Sequence, residues 1–470
     1  MTTKILRRAA LAAAIGSISN GALAAGFALQ ESSTSGLGRA FAAENAIGDN
    51  AAILARNPAG SALFDTITIS GGVTYVNPEI DAAGFTEYYA LTANGPFPLA
   101  EPLYAEANDY ASSAWVPNAY LAVPFNDCWS FGLAMNTDYG LETDFRASWP
   151  VTHIADKTEL ISVNIAPSVA FDFNNTFSIG ISANFLYADA TLKSKVPSDF
   201  IINPDFSDLK ILDADGDDWD YGWSIGALWR INERTHIGIS YQSELDPKID
   251  ADVNSDLLPA FNNAGQIIGT FDGERANLTL DLPDTLELGV YHRFDDNWGI
   301  AFGAMWTDWD DFERLEAFFP NQRVGDNRIS SYNPFQIKEE NFSSGWRYSL
   351  GLEYYPCDEV TWRVGYAYDE GAARNGLYDE ETLATGFDVT WRTLSIPDAD
   401  RQWVTFGGTY EINNQLSIDG GLAYLWGDDE TIQEFQALPV SSDFTLGTYF
   451  NGGTTNLEAW LAGVSLNYSF

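Results

Sequence analysis

The sequence predicts an all-β fold, a transmembrane antiparallel β-barrel of about 14 strands with a small N-terminal plug, or hatch, in its lumen. Three observations predict it. The chain opens on an export signal, no later stretch stays apolar for the roughly 20 residues a spanning helix needs, and apolar and polar residues alternate at period two through most of the remainder.

Residues 1–24 read as a cleaved secretory signal. Lys4, Arg7 and Arg8 precede an apolar run from Ala9 to Ile15, and Ala22-Leu23-Ala24 supplies a small-residue cleavage site. Residues 25–64 read as the plug. Gly26, Gly36, Gly38, Gly48 and Gly60, small Ala and Ser residues, and isolated charges at Glu31, Arg39, Glu44, Asp49 and Arg56 suit a compact segment packed inside a polar cavity.

Residues 65–470 read as the barrel. In the last strand Trp460, Ala462, Val464, Leu466, Tyr468 and Phe470 share one face, and Gly463, Ser465, Asn467 and Ser469 share the other. The same split separates Ile67, Ile69, Val73 and Tyr75 from Thr68, Ser70 and Thr74, and it recurs around residues 177–187 and 416–426. Trp and Tyr gather near the strand ends, as in the aromatic girdles of membrane barrels, and the chain stops on an aromatic, Phe470.

Strand number follows from the turns. Short polar breaks fall at Asn126-Asp127, Asn174-Asn175, Asn232-Glu233, Asp295-Asp296-Asn297, Cys357-Asp358 and Asn413-Asn414. Six tight turns plus two chain ends on the periplasmic side give seven hairpins. The opposite side receives long loops near residues 78–113, 190–217, 246–274, 313–340, 373–399 and 428–455. In one of them Asp213, Asp215, Asp217, Asp218 and Asp220 lack the glycine register and closing Glu of a calcium loop, so they read as a solvated acidic loop. Around Gly140 the alternation through Phe131, Leu133, Met135, Tyr139 and Leu141 reads as nearly undisturbed.

The whole chain carries 24 Lys and Arg against 66 Asp and Glu. Without the signal, which holds three of the basic residues and no acids, 21 face 66, a net charge of −45. That balance excludes nucleic acid as a partner. It fits an acidic surface that meets outer-membrane lipid and lipopolysaccharide through divalent cations. Cys128 and Cys357 both fall in short turns and read as two free thiols, with a bridge left open. No cofactor or metal site is expected, and the barrel is expected to be a monomer.

The order GF…SSTSGLGRAFAAENAIGDNAA…RNPA across residues 26–59 resembles the hatch of FadL-type outer-membrane transporters of long-chain fatty acids. AWVPNAY (114–120), DYGLETDF (138–145), LDLPDTLELGVYHRFDDNWGIAFGAMWTDWDDF (280–312) and SIPDADRQW (395–403) extend the resemblance over the mature chain. It implies passive import of a fatty acid or another hydrophobic small molecule. The ligand would bind in an internal apolar pocket, the hatch would shift, and release would run sideways through a kink in the third strand.

The resemblance also implies residue roles. Phe27 would contact the ligand tail, Asn57-Pro58-Ala59 would hold the hatch shape, Asp138-Tyr139-Gly140 would form the kinked wall, and Lys338 would meet the carboxylate. At the family's other basic position this chain has Ser194, with Lys193 and Lys195 on either side as candidate ligand contacts. Read without the resemblance, Phe27 is a packed plug residue, Asn57-Pro58-Ala59 a turn, Gly140 a strand bend and Lys338 a solvated strand-end lysine.

Three rivals remain on sequence alone. Import of aromatic hydrocarbons would use the same route and would have no need of Lys338. A general porin would have no use for a plug. An outer-membrane acyl hydrolase would need a nucleophile and base, yet His153, His236 and His292 are scattered and no GxSxG occurs, so no catalytic residue is assigned.

Overall fold

The computed structural model describes residues 26–92, 94–261, 267–319, 323–324, 327–328, 335–441 and 444–470. The signal assigned to residues 1–24 lies outside them. Fourteen antiparallel strands close into one barrel. They are β1 (Thr68–Thr92), β2 (Leu103–Ala107 and Ala114–Pro124), β3 (Trp129–Asn136 and Gly140–Asp144), β4 (Lys157–Phe173), β5 (Phe177–Lys195), β6 (Lys210–Asn232) and β7 (Thr235–Gln242 and Lys248–Asn254). Then follow β8 (Glu274–Thr279 and Asp284–Arg293), β9 (Trp298–Asp308 and Arg314–Phe318), β10 (Phe335–Glu339 and Gly345–Cys357) and β11 (Val360–Asp369). The last three are β12 (Arg401–Asn413), β13 (Leu416–Gly427 and Glu430–Ser441) and β14 (Phe444–Ser469).

Closure is made by β1 against β14, from Thr68 opposite Ser469 to Leu91 opposite Thr445. The six short turns fall where Asn and Asp mark them, and in five of them an Asn or Asp side chain accepts from the turn's own backbone. In the first, for example, the Asn126 side chain accepts from the amides of Cys128 and Trp129, both at 3.0 Å. Cys128 and Cys357 are exposed free thiols in two of these turns.

Period-two alternation sorts the wall as a lipid-facing barrel requires. Ile69, Phe131, Ile181, Val404, Leu422 and Leu466 are exposed on the outer surface, while Ser70, Ser168, Ser182, Ser224, Thr405 and Ser465 are buried on the inner one. Exposed Trp129, Phe177, Trp298 and Phe470 ring the turn end, and exposed Trp115, Trp223, Trp346 and Trp460 ring the other.

The long-loop side differs from expectation in three ways. β1 continues to Thr92, β5 to Lys195, and β13 and β14 pair through residues 430–454, so much of the expected loop at 78–113, 190–217 and 428–455 is strand. The acidic run from Asp213 to Asp220 lies on β6, with Asp213, Asp215 and Asp217 directly opposite Lys193, Thr191 and Asp189 of β5, rather than in a solvated loop. A further outer connection, residues 145–156, joins β3 to β4. It is not among the expected loops, and its Phe145, Trp149 and Val151 are buried.

The residues from Gly26 to Leu63 pack against lumen-facing strand residues. A single helical turn, α1 (Thr34–Leu37), is capped by the Ser33 hydroxyl, which accepts from the Gly36 amide at 2.8 Å. Two 3-10 turns follow, Ala51–Ala55 and Pro58–Leu63, capped by the side chains of Asn50 and Asn57. A second helix, α2 (Asp379–Thr385), lies in the outer connection between β11 and β12.

Candidate functional site

The wall is irregular at β3. Asn136 pairs with Asn164 of β4, and the next pair is Gly140 with Ile161, so Thr137, Asp138 and Tyr139 oppose only Ser162 and Val163. One extra residue reverses the side-chain phase. Phe131 and Met135 face lipid at 39% and 42% exposure, whereas Tyr139 and Leu141 turn inward at 2% and 5%. The undisturbed alternation expected here is therefore corrected: the apolar residues keep their parity in sequence, but the bulge sends them to opposite faces.

Side chains satisfy the bulge. The Ser162 hydroxyl donates to the Tyr139 carbonyl at 2.7 Å and accepts from the Tyr139 amide at 3.1 Å, and Asn164 Nδ2 donates to Asp138 Oδ2 at 2.7 Å. The β2 ladder on the other side of β3 runs only from Pro124 opposite Ser130 to Ala119 opposite Met135. Past that point residues 27–29 take the strand edge at 138–140, and residues 110–112 take it again at 142–144. The Leu29 amide donates to the Asp138 carbonyl at 2.7 Å, and Ala28 sits opposite Tyr139.

Phe27 anchors that segment. It is 1% exposed and meets Trp309, Phe312 and Tyr139 edge-on, with ring centroids 4.8, 5.3 and 6.2 Å away. An apolar crevice continues past it between Leu141, Leu160, Leu192, Ile249, Leu278 and Ile396. The Gly26 amide donates to Asp398 Oδ1 at 3.1 Å, within the SIPDADRQW segment. Trp309 and Phe312 carried no assignment on sequence. Their only signal was an aromatic pair in a break between two stretches of one strand.

Deeper in the lumen a charged network fixes the next stretch. Arg39 reaches Asp49 at 2.8 Å, Glu44 at 2.9 Å and Glu353 of β10 at 3.4 Å, and Arg363 of β11 reaches both Glu353 and Asp49 at 3.0 Å. Such buried pairs repay their desolvation only in good geometry, so their main effect is to specify one position. Ala40, Phe41 and Ala43 have φ of 53°, 57° and 53°, a left-handed conformation that costs side-chain-bearing residues about 1–3 kcal/mol each. The guanidinium of Arg347 holds the turn by donating to the Ala40 carbonyl at 3.2 Å.

Asn57-Pro58-Ala59 is a capped turn set against bare backbone. Asn57 Oδ1 accepts from the Ala59 amide at 2.9 Å, and its Nδ2 donates to the carbonyls of Asn45 at 2.8 Å and Ala227 at 3.1 Å. The approach needs Gly226, because a Cβ there would lie 1.9 Å from Asn57 Oδ1.

Above the lipid a cavity of about 370 Å³ opens between the outer connections. Lys338 lines it and is bound to Glu434 and to the Ser395 hydroxyl, both at 2.9 Å. Ser194 also lines it. Lys193 is 3.5 Å from Asp213 and Lys195 is 3.4 Å from Asp156, and neither is on the cavity wall. Burial raises the carboxyl of Glu340 to about 8 and that of Glu381 to about 7, in each case outweighing the opposing pull of Lys338. His153, in the connection at 145–156, is buried beside Tyr88, and loss of hydration pushes it down to about 3.

A lipid-facing closed cylinder of this size whose lumen holds residues 26–63 of its own chain defines an outer-membrane transport barrel. The family model described as outer membrane protein transport protein (OMPP1/FadL/TodX) matches residues 15–470, and the chain belongs to that family. It is 31% identical to the long-chain fatty acid transport protein of Escherichia coli O6:H1, over 99% of each chain. It is also 31% identical to outer membrane protein P1 of Haemophilus influenzae, over 99% of this chain and 100% of the other. Among solved structures, a Pseudomonas aeruginosa FadL homologue shares the fold with a TM-score of 0.74 at 21% identity, over 95% of this chain and 100% of that one. The Pseudomonas putida toluene transporter TodX shares it with a TM-score of 0.58 at 14% identity, over 94% and 99%.

Proposed function

We propose that this chain carries long-chain fatty acids across the outer membrane without coupled energy, and that cargo leaves sideways through the wall at β3. The ligand meets the outer cavity, slides along the crevice beside Phe27, and displaces Gly26–Leu29 from the edge of β3. A chain of about 15 methylenes favours apolar surroundings by on the order of 12 kcal/mol, so a route that never crosses bulk water removes the main barrier. Asn57-Pro58-Ala59 keeps the rest of the hatch in place during this step. Lys338, with Lys193 and Lys195 nearby, sets the electrostatics of entry.

The observation that carries the reading is the pairing of Phe27–Leu29 with Asp138–Gly140: two backbone hydrogen bonds close an opening that the bulge creates. Ala28 and Tyr139 form a non-hydrogen-bonded antiparallel pair, a geometry with Cα atoms about 4.5 Å apart that accepts a disulfide. In a deletion strain, an Ala28→Cys/Tyr139→Cys protein is expected to support growth on oleate only with reductant present. Equal growth when oxidised would overturn lateral release.

Import of aromatic hydrocarbons by the same route is the second reading, favoured by the aromatic wall that Phe27 and Phe312 give the crevice. Growth on toluene in the same strain separates the two. A hydrolase finds little support in His153, since an imidazole held neutral to about pH 3 is too weak a general base.

A further inference from the structure

Among the described residues the outer cavity holds one basic side chain, and it is already engaged. Lys338 is 16% exposed and Glu434 8%, and the second oxygen of Glu434 accepts from the Leu394 amide at 2.8 Å. A ligand carboxylate could reach Lys338 only by displacing Glu434, which would then be buried without its cation. That exchange gains one pair and loses another. Glu339 and Glu381 on the same wall are acidic.

An acceptor is left open instead. Gln436 lines the same cavity, and its Oε1 is buried with no hydrogen-bond partner. A buried amide oxygen left this way is destabilising and is satisfied by an incoming donor. Ile211, Leu212 and Leu258 on the same wall offer apolar surface for an attached chain.

We propose that the outer cavity selects the uncharged, hydroxyl-bearing headgroup of a long-chain amphiphile, a protonated carboxylic acid or an alcohol, with its O–H donated to Gln436 Oε1 and Lys338 retained by Glu434. This rests on the transport reading above and names the form in which cargo enters. A carboxylate is disfavoured because its cation is occupied. An ammonium is disfavoured because Glu434 already accepts from Lys338 and from the Leu394 amide.

The test is binding to the full-length protein in lipid nanodiscs at mildly alkaline pH, read by quenching of tryptophan fluorescence with empty nanodiscs subtracted. Trp391 on the cavity wall is the reporter, so Trp391→Phe identifies its share of the signal. The probes are oleyl alcohol, oleate and oleylamine, and the heat-modifiable gel shift shows that each variant is folded. Oleyl alcohol is expected to bind at least about tenfold more tightly than either charged probe. Glu434→Gln frees Lys338 and tightens oleate by about tenfold while the alcohol changes less than about twofold. Gln436→Leu weakens the alcohol by about tenfold.

Oleate or oleylamine binding as tightly as the alcohol in the unmodified protein would overturn the headgroup assignment and leave the transport reading standing. An unchanged alcohol affinity in Gln436→Leu would also overturn the assignment. Failure of all three probes to bind would overturn both.

Discussion

The backbone amide of Gly140 donates to the carbonyl of Phe27 at 3.0 Å, so the first described residues of the chain bond to the strand edge that the β3 bulge exposes. The contact is small, two hydrogen bonds and one aromatic ring. The proposed opening would therefore turn on a few named groups.

Phe27→Ala removes the ring packed on Trp309, Phe312 and Tyr139. Core Phe→Ala changes cost about 3–5 kcal/mol, more than the two hydrogen bonds return, so the segment is expected to detach. Hydrogen exchange at Leu29 and Gly140 should rise by at least about a hundredfold with the barrel's heat stability unchanged. Unaltered exchange would show that the ring is not the anchor.

Gly226→Ala places a methyl group where Asn57 Oδ1 now sits. Loss of that cap should cost about 1 kcal/mol and loosen residues 57–63, seen as faster exchange there. Gly420→Ala is the matched control, since nothing lies within 4 Å of its added Cβ. Equal behaviour of the two variants would contradict the close approach.

Arg39→Ala leaves Glu44 buried without its cation, while Glu353 and Asp49 keep Arg363, a change worth about 3–5 kcal/mol against the docked arrangement. The barrel wall does not depend on Arg39. Single-channel conductance in planar bilayers is thus expected to rise from near zero to a flickering open level, and a silent bilayer would count against this role.

Glu340 supplies a pH dependence outside the membrane. Its carboxyl is raised from 4.5 to about 8 by burial, so the folded state holds a proton there that the unfolded chain has lost. The associated stability is complete below about pH 4.5 and is lost as pH rises towards 8, at no more than about 1.4 kcal/mol per pH unit. Limited proteolysis of residues 386–400, which pack on Glu340 through Thr393, should accelerate over that window. Glu340→Gln should remove the acceleration, and a pH profile identical to wild type would refute it.

The strands and short turns were legible because both signals are local. Asn and Asp cap their own turns, and alternation at period two needs only neighbouring residues. The bulge was not legible. Phe131, Met135, Tyr139 and Leu141 share one parity in sequence, and only the count against β4 shows that the face reverses. The acidic run on β6 looked like loop because Asp is rare in strands. Its partners on β5 lie outside any sequence window. The Arg39 network was hidden by distance along the chain, since Glu353 stands 314 positions away. In the cavity Lys338 stood out as a rare base, but its engagement by Glu434 depended on two outer segments meeting.

Crossing the lipid takes about 9–11 residues of tilted strand, yet β1 has 25 and β14 has 26. The surplus stands outward as a chimney. On the proposed route a greasy molecule would meet protein in the sugar layer before it touched hydrocarbon, and the strands that seal the cylinder would set how far from the cell that meeting takes place.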